Sequence, residues 1–187
     1  MSPLTELIGS AKAYGWGSFA AAGDFESIAT VTVGSGGAST VTFSSIPGTY
    51  THLQIRETAL TTENGPNTLI RFNSDTGNNY ANHQLYGTGS SALASGNANI
   101  DYIFGSVFSN SSTSPSVAVV DILDYANTNK YKTVRLLSGC DTNGGGLVIL
   151  RSGVWMNTAA ITSIQLPIST GNYSQYSHFA LYGIKGA

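Results

Sequence analysis

Phe25-Glu-Ser-Ile-Ala-Thr-Val-Thr-Val33, the following Val41-Thr-Phe-Ser-Ser-Ile-Pro-Gly-Thr-Tyr-Thr-His-Leu-Gln-Ile-Arg56 and the closing Phe179-Ala-Leu-Tyr-Gly-Ile-Lys-Gly-Ala187 decide the fold. Apolar and polar residues alternate through them with a period of two, the rhythm of a strand that buries one face. Extending outward, comparable runs predict strands near Ile28 to Val33, Thr40 to Ser44, Thr51 to Ala59, Thr68 to Asn73, Ile100 to Phe104, Val117 to Leu123, Lys132 to Ser138, Leu147 to Ser152, Ile161 to Leu166 and Ser177 to Ile184. Turn chemistry separates them, as in Gly34-Ser-Gly-Gly37, Asn64-Gly-Pro66, Ser74-Asp-Thr-Gly-Asn-Asn79, Asn110-Ser-Ser-Thr-Ser-Pro115 and Asp141-Thr-Asn-Gly-Gly-Gly146. Many short strands with such punctuation predict an all-β fold, a jelly-roll-like β-sandwich over residues 25–187. Val31, Val33, Val41, Phe43, Leu53, Ile55, Ile70, Phe72, Val134, Leu136 and Leu181 are its expected core. The stretch from about Gly87 to Asn99, rich in Gly, Ser and Ala, is expected to be a long exposed loop.

Residues 1–24 follow a different pattern. Leu4, Leu7, Ile8 and Ala11 recur at helical spacing, Ser2-Pro3 suits a helix start, and Gly15 and Gly17 end it. A helix of about 12 residues is marginal alone in water, so its apolar stripe must dock. The stripe suits packing on its own domain, a trimer axis or an anchoring groove on another protein. Trp16 and Phe19 are further anchor candidates in this N-terminal helix and arm.

Composition excludes several classes of function. Charged residues make up 10% of the 187-residue chain, against about 25% in ordinary globular proteins. A surface this poor in charge favours association, which points to an oligomeric assembly component. The 8 basic residues are scattered and the net charge is -2, which argues against nucleic acid. Cys140 is the single cysteine, so no intrachain disulfide forms; with no basic flank it is expected to be a buried structural thiol. No basic region followed by an apolar run opens the chain, and no stretch approaches about 20 apolar residues; neither a signal peptide nor a membrane partner is expected.

Candidate chemistry is thin. Asp121 and Asp124 could be imagined as paired glycosidase carboxylates, but one lies in a strand and the other begins a turn. Asp141 to Gly146 superficially follows a calcium loop whose twelfth position should be acidic; that position is Ser152, so a Gly-rich hairpin is expected instead. His52, His83 and His178 lie apart, with no ligand at metal-binding spacing. No catalytic residue, cofactor or metal site is therefore expected. Tyr80, Tyr86, Tyr102, Tyr125, Tyr131, Tyr173 and Tyr176 fall in or near polar loops, where a ring and hydroxyl suit subunit contact, ordinary packing or a glycan. Among them Tyr80, Tyr86, Tyr125, Tyr173 and Tyr176 are the chosen contact candidates.

The wording of the Phe25–Arg56 and Phe179–Ala187 segments resembles the first and last strands of jelly-roll structural proteins of tailed-phage virions. The resemblance covers most of 25–187 and rests on strand wording and layout. It implies a non-enzymatic virion subunit, commonly a homotrimer, synthesised in the host cytoplasm. Capsid decoration, as a cement or head-fibre protein contacting the major capsid protein, is the expected role. The alternative is a tail-fibre or tail-tip receptor-binding module, lectin-like, contacting tail proteins and host surface glycan. By the same resemblance, Leu4, Leu7, Ile8, Ala11, Trp16 and Phe19 would form the anchoring arm.

Overall fold

The computed structural model describes residues 24–108 and 113–186, all strands, turns and irregular segments. In chain order the strands are β1 Phe25–Thr32, β2 Thr40–Phe43, β3 His52–Ala59, β4 Asn67–Phe72, β5 Tyr80–Gly87, β6 Ala92–Ile100, β7 Ile103–Val107, β8 Ser116–Leu123, β9 Lys132–Asp141, β10 Gly146–Trp155, β11 Ile164–Pro167 and β12 His178–Ile184. The helix and arm expected over 1–24, with Leu4, Leu7, Ile8, Ala11, Trp16 and Phe19, lie outside the described residues, Asp24 excepted.

Two antiparallel sheets make a β-sandwich. The larger has the order β1-β12-β3-β8-β9-β10-β5-β6, and the smaller β2-β11-β4-β7. The first strand therefore lies beside the last, Phe25 opposite Ile184, and β2 beside β11, Phe43 opposite Ile164. The quoted terminal segments thus meet in one sheet, and their shared alternation buries one common face. Of the expected core, every member is buried except Val31, which is half-buried on edge strand β1. Leu53, Ile55, Ile70, Phe72, Val134 and Leu181 line the space between the sheets, and burying each contributes roughly 1.5–3 kcal/mol. Phe72, Tyr80 and Trp155 form an aromatic cluster there, with ring centroids 5.5–6.4 Å apart.

Three expectations change. The stretch Gly87 to Asn99 is not a loop: β5 and β6 form a hairpin that extends the large sheet, closed by Thr88 N–H donating to the Ser91 carbonyl. Its alternation is invisible because β6 has an exposed face on both sides, so nothing selects apolar residues at every second position. The strand expected from Ile100 to Phe104 is a boundary. The chain leaves the large sheet at Ile100, bends at Asp101 and Tyr102, and enters the small sheet at Ile103. At 161–166, regular pairing begins only at Ile164, although Ile161 is buried ahead of it. The Asp141–Gly146 hairpin is as expected: Asn143 (φ 61°) and Gly144 (φ 106°) turn the chain between β9 and β10.

Candidate interaction face

Strands β8, β9, β10 and β5 direct one set of side chains into the sandwich and the other outward. Inward-pointing Ser116, Ala118, Val120 and Ile122 on β8 are all buried. The outward set is apolar as well. Val119, Leu137, Leu150 and Leu85 stand directly opposite one another across β8, β9, β10 and β5. The neighbouring row is Val117, Gly139, Val148 and Gly87, continued on β6 by Ala92. The six large side chains are 40–60% exposed. In soluble proteins a large contiguous apolar face is a common feature of contact surfaces, whereas scattered exposed Leu and Val mark nothing.

Charge is confined to the margins. On one side the next row carries Asp121, which accepts from Gln54 Nε2 (2.9 Å) and Arg135 Nη2 (3.2 Å). On the other side lies exposed Asp141, at the β9–β10 hairpin. At the β3 end Arg56 lies over the rings of Phe25 and Tyr182, 5.4 and 5.7 Å from their centroids. A shallow depression of about 440 Å³ opens in this face where Gly139 contributes no side chain, between Val117, Val119, Leu137 and Val148, with Arg56 and Thr58 of β3 along its edge.

The interior holds the titratable groups with the largest perturbation. Glu57 on β3 is 3% exposed; its Oε1 accepts from Thr68 Oγ1 on β4 (2.9 Å) and Ser106 Oγ on β7 (2.7 Å). Burial pushes its carboxyl up to about 7, against the lowering effect of those two hydroxyls. Tyr173 donates from its hydroxyl to this cluster at Thr68 Oγ1 (3.0 Å), and burial raises its ionisation well above the usual tyrosine range. Arg151 on β10, 4% exposed, donates to Gly105 O, to Gln84 Oε1 (2.7 Å) and to Asn67 Oδ1 (3.4 Å), while burial lowers it to about 10. Neither Glu57 nor Arg151 makes an ion pair among the described residues. Consecutive residues of β4 and β7 serve both: Asn67 and Gly105 face Arg151, Thr68 and Ser106 face Glu57. These groups tie the two sheets together.

The residues singled out from sequence fall into separate places. Tyr80, Tyr125 and Tyr173 are wholly buried, which corrects their assignment as contact candidates: no ring face is left for a glycan or a neighbour. Their hydroxyls explain the burial, since Tyr80 donates to Asp75 O (3.2 Å), Tyr125 to Pro47 O and Tyr173 as above. Tyr86 and Tyr102 are half-buried, whereas Tyr131 (54%) and Tyr176 (77%) are exposed. Cys140 is half-buried rather than buried, because β9 leaves the cover of the small sheet near its end. Asp121 and Asp124 have different partners, Asp124 bonding Lys130, whose ammonium holds that carboxyl below its usual range. His52 Nδ1 accepts from the Asp124 backbone N–H (3.0 Å), which fixes the Nε2–H tautomer. Asp124 Oδ1 approaches the same ring nitrogen to 3.4 Å. His83 lies on β5 beside Gly96, and His178 on β12. Among the described residues no three His, Cys, Asp or Glu groups gather to hold a metal ion.

The outer face was the feature missed from sequence. Its signal is the breakdown of strict alternation in Val117-Ala-Val-Val120, Leu136-Leu137 and Leu147-Val-Ile-Leu150, apolar at both parities. Such runs belong to strands covered on both faces. No protein-family model matches this chain, and a search of curated proteins finds no similar sequence.

Proposed function

We propose that this chain is a non-enzymatic structural subunit of a tailed-phage virion, a capsid decoration, cement or head-fibre protein that acts through contact area. One observation carries the reading: a charge-free apolar face, four strands wide, stands uncovered on a chain with only 10% charged residues. Such a face is costly to leave in water and useful when a neighbour covers it. The strand order supports reading the sandwich as a jelly roll. Removing the β5–β6 and β9–β10 extensions leaves β1-β12-β3-β8 facing β2-β11-β4-β7, with first beside last in one sheet and second beside penultimate in the other. Jelly rolls recur in capsid and lectin domains, and β1, β3 and β12, which lie in the segments carrying the phage resemblance, are neighbours in the large sheet. A homotrimer, implied by that resemblance, belongs to the same proposal.

The tail-tip, glycan-binding alternative keeps one observation, the exposed Tyr176 with a positive φ of 71°. It loses three of its five tyrosines to the core. Quantitative protein composition of purified virions tests the reading. High copy number and depletion from the particle on Leu150→Lys are expected; a few copies per particle would reject decoration.

A further inference from the structure

The outward residues of β9 run Arg135, Leu137, Gly139, Asp141: a positive charge, a large apolar side chain, a gap and a negative charge. A half-turn about the middle of this series exchanges Arg135 with Asp141 and Leu137 with Gly139. The pattern is complementary to itself. We propose that the outer face of β8, β9, β10 and β5 is a two-fold contact between two copies of this chain, packed sheet on sheet with β9 antiparallel to its mate. Leu137 of each copy fills the depression over Gly139 of the other, and Arg135 of each meets Asp141 of the other. The inference rests on the reading of this face as a contact surface and names its occupant.

Three observations carry it. Sheets pack face to face about 10 Å apart with interdigitating side chains, and the depression above Gly139 is bordered by Val117, Val119 and Val148, which would grip an incoming Leu. A Cβ on Gly139 would meet only the Leu147 carbonyl (3.4 Å) and Val148 Cγ2 (3.9 Å), so the space is open on the solvent side. Charge is the second. Arg135 and Asp141 are about 20 Å apart at the strand rise and bracket an uncharged centre. The Arg135 side chain is 66% exposed despite its bond to Asp121, leaving donors for a second carboxylate. A two-fold contact requires positive and negative groups to be exchanged by its axis, a condition that an unrelated partner does not impose. Area is the third. Twelve half-exposed side chains from two copies withdraw roughly 600–1,000 Å² before the margins are counted, close to the 1,200 Å² at which stable specific contacts begin.

Light scattering and sedimentation of the full chain over a range of micromolar concentrations test the contact. The expected assembly has an even number of copies, two alone or six where three-fold contacts operate elsewhere. Leu137→Lys should halve that number. Arg135→Asp and Asp141→Arg should each weaken association about tenfold or more, and the double exchange should restore it, because each altered charge again meets its opposite. Circular dichroism and urea titration establish that each variant is folded. A monomer or an odd-numbered assembly throughout, an unchanged mass for folded Leu137→Lys, or a double exchange no better than either single would overturn the proposal. Virion composition separates the two readings: a solution monomer present at high copy in particles sinks this contact and leaves the virion role standing, whereas an even-numbered assembly absent from particles does the reverse.

Discussion

Glu57→Gln isolates the cost of a buried charge in this sandwich. The carboxyl lies between the sheets with two hydroxyl donors and no ion pair among the described residues, and its ionisation moves from 4.5 to about 7. A carboxyl whose folded value is raised is ionised more readily in the unfolded chain. Its contribution to stability is therefore fully present below pH 4.5 and lost as pH rises through about 7. At about 1.4 kcal/mol per pKa unit, the loss amounts to about 3 kcal/mol. Glutamine keeps the acceptor that Thr68 and Ser106 use and carries no charge at any pH. It also brings an amide group whose satisfaction adds a constant offset. The informative quantity is the difference in unfolding free energy between variant and wild type, because other groups titrate equally in both and cancel. That difference should shift in favour of the variant by about 3 kcal/mol between pH 4 and pH 8.5. With urea slopes of about 2–3 kcal/mol per molar for a chain of this size, the separation of midpoints changes by about 1 M or more. Parallel stability curves across that range would refute the argument and leave Glu57 either ionised at little cost or reached by water.

Two further substitutions examine the packing that supports the face. Gly183→Ala places a Cβ 2.4 Å from the Tyr50 ring, which must shift and strain its 2.9 Å bond to Glu26 Oε2; the expected loss is about 1–3 kcal/mol by overpacking, read as a thermal midpoint lower by about 2–4 °C per kcal/mol, and an unchanged midpoint would contradict it. Arg151→Met keeps the aliphatic stem but leaves Gly105 O and Gln84 Oε1 without their donor; destabilisation of about 1–3 kcal/mol is expected in chemical denaturation, and a more stable variant would show that desolvating the guanidinium outweighs its bonds.

Much of the architecture was legible because one face of most strands is polar. Thr51 to Ala59 alternates cleanly, and its core members Leu53 and Ile55 follow from that rhythm alone. The pairing of β1 with β12 was not legible, since periodicity carries no information about partners. Tyr80 to Gly87 was unreadable because its inward set, Tyr80, Asn82, Gln84 and Tyr86, mixes polar with aromatic groups. The tyrosines misled for a related reason. Tyr80, Tyr125 and Tyr173 adjoin polar turns, yet each ring enters the core while the hydroxyl finds a carbonyl or hydroxyl partner. The outer face was hidden by the assumption that an exposed strand face is polar.

That face raises a question of register that apolar burial answers only in part. A one-residue slip of a strand sends every inward side chain outward, and in most sandwiches the loss of apolar burial forbids it. Along the middle of β8 and β10 the slip would exchange Ala118 and Val120 for Val117 and Val119, and Ile149 for Leu150, with little change in apolar burial there; towards the strand ends it would bring Asp121 inward and turn Trp155 outward. Besides Trp155, the groups that distinguish the two registers are polar. A slip of β10 would expose Arg151 and leave Gly105 O and Gln84 Oε1 unpaired inside; a slip of β3 would withdraw Glu57 from Thr68 and Ser106 and drive Arg56 into the core. Each unmade buried hydrogen bond costs about 1–3 kcal/mol, and an unpaired buried charge more. The energy spent on placing Glu57 and Arg151 between the sheets is thus recovered as a fixed register. That register keeps Leu85, Val119, Leu137 and Leu150 on the surface, in the face proposed above as a subunit contact.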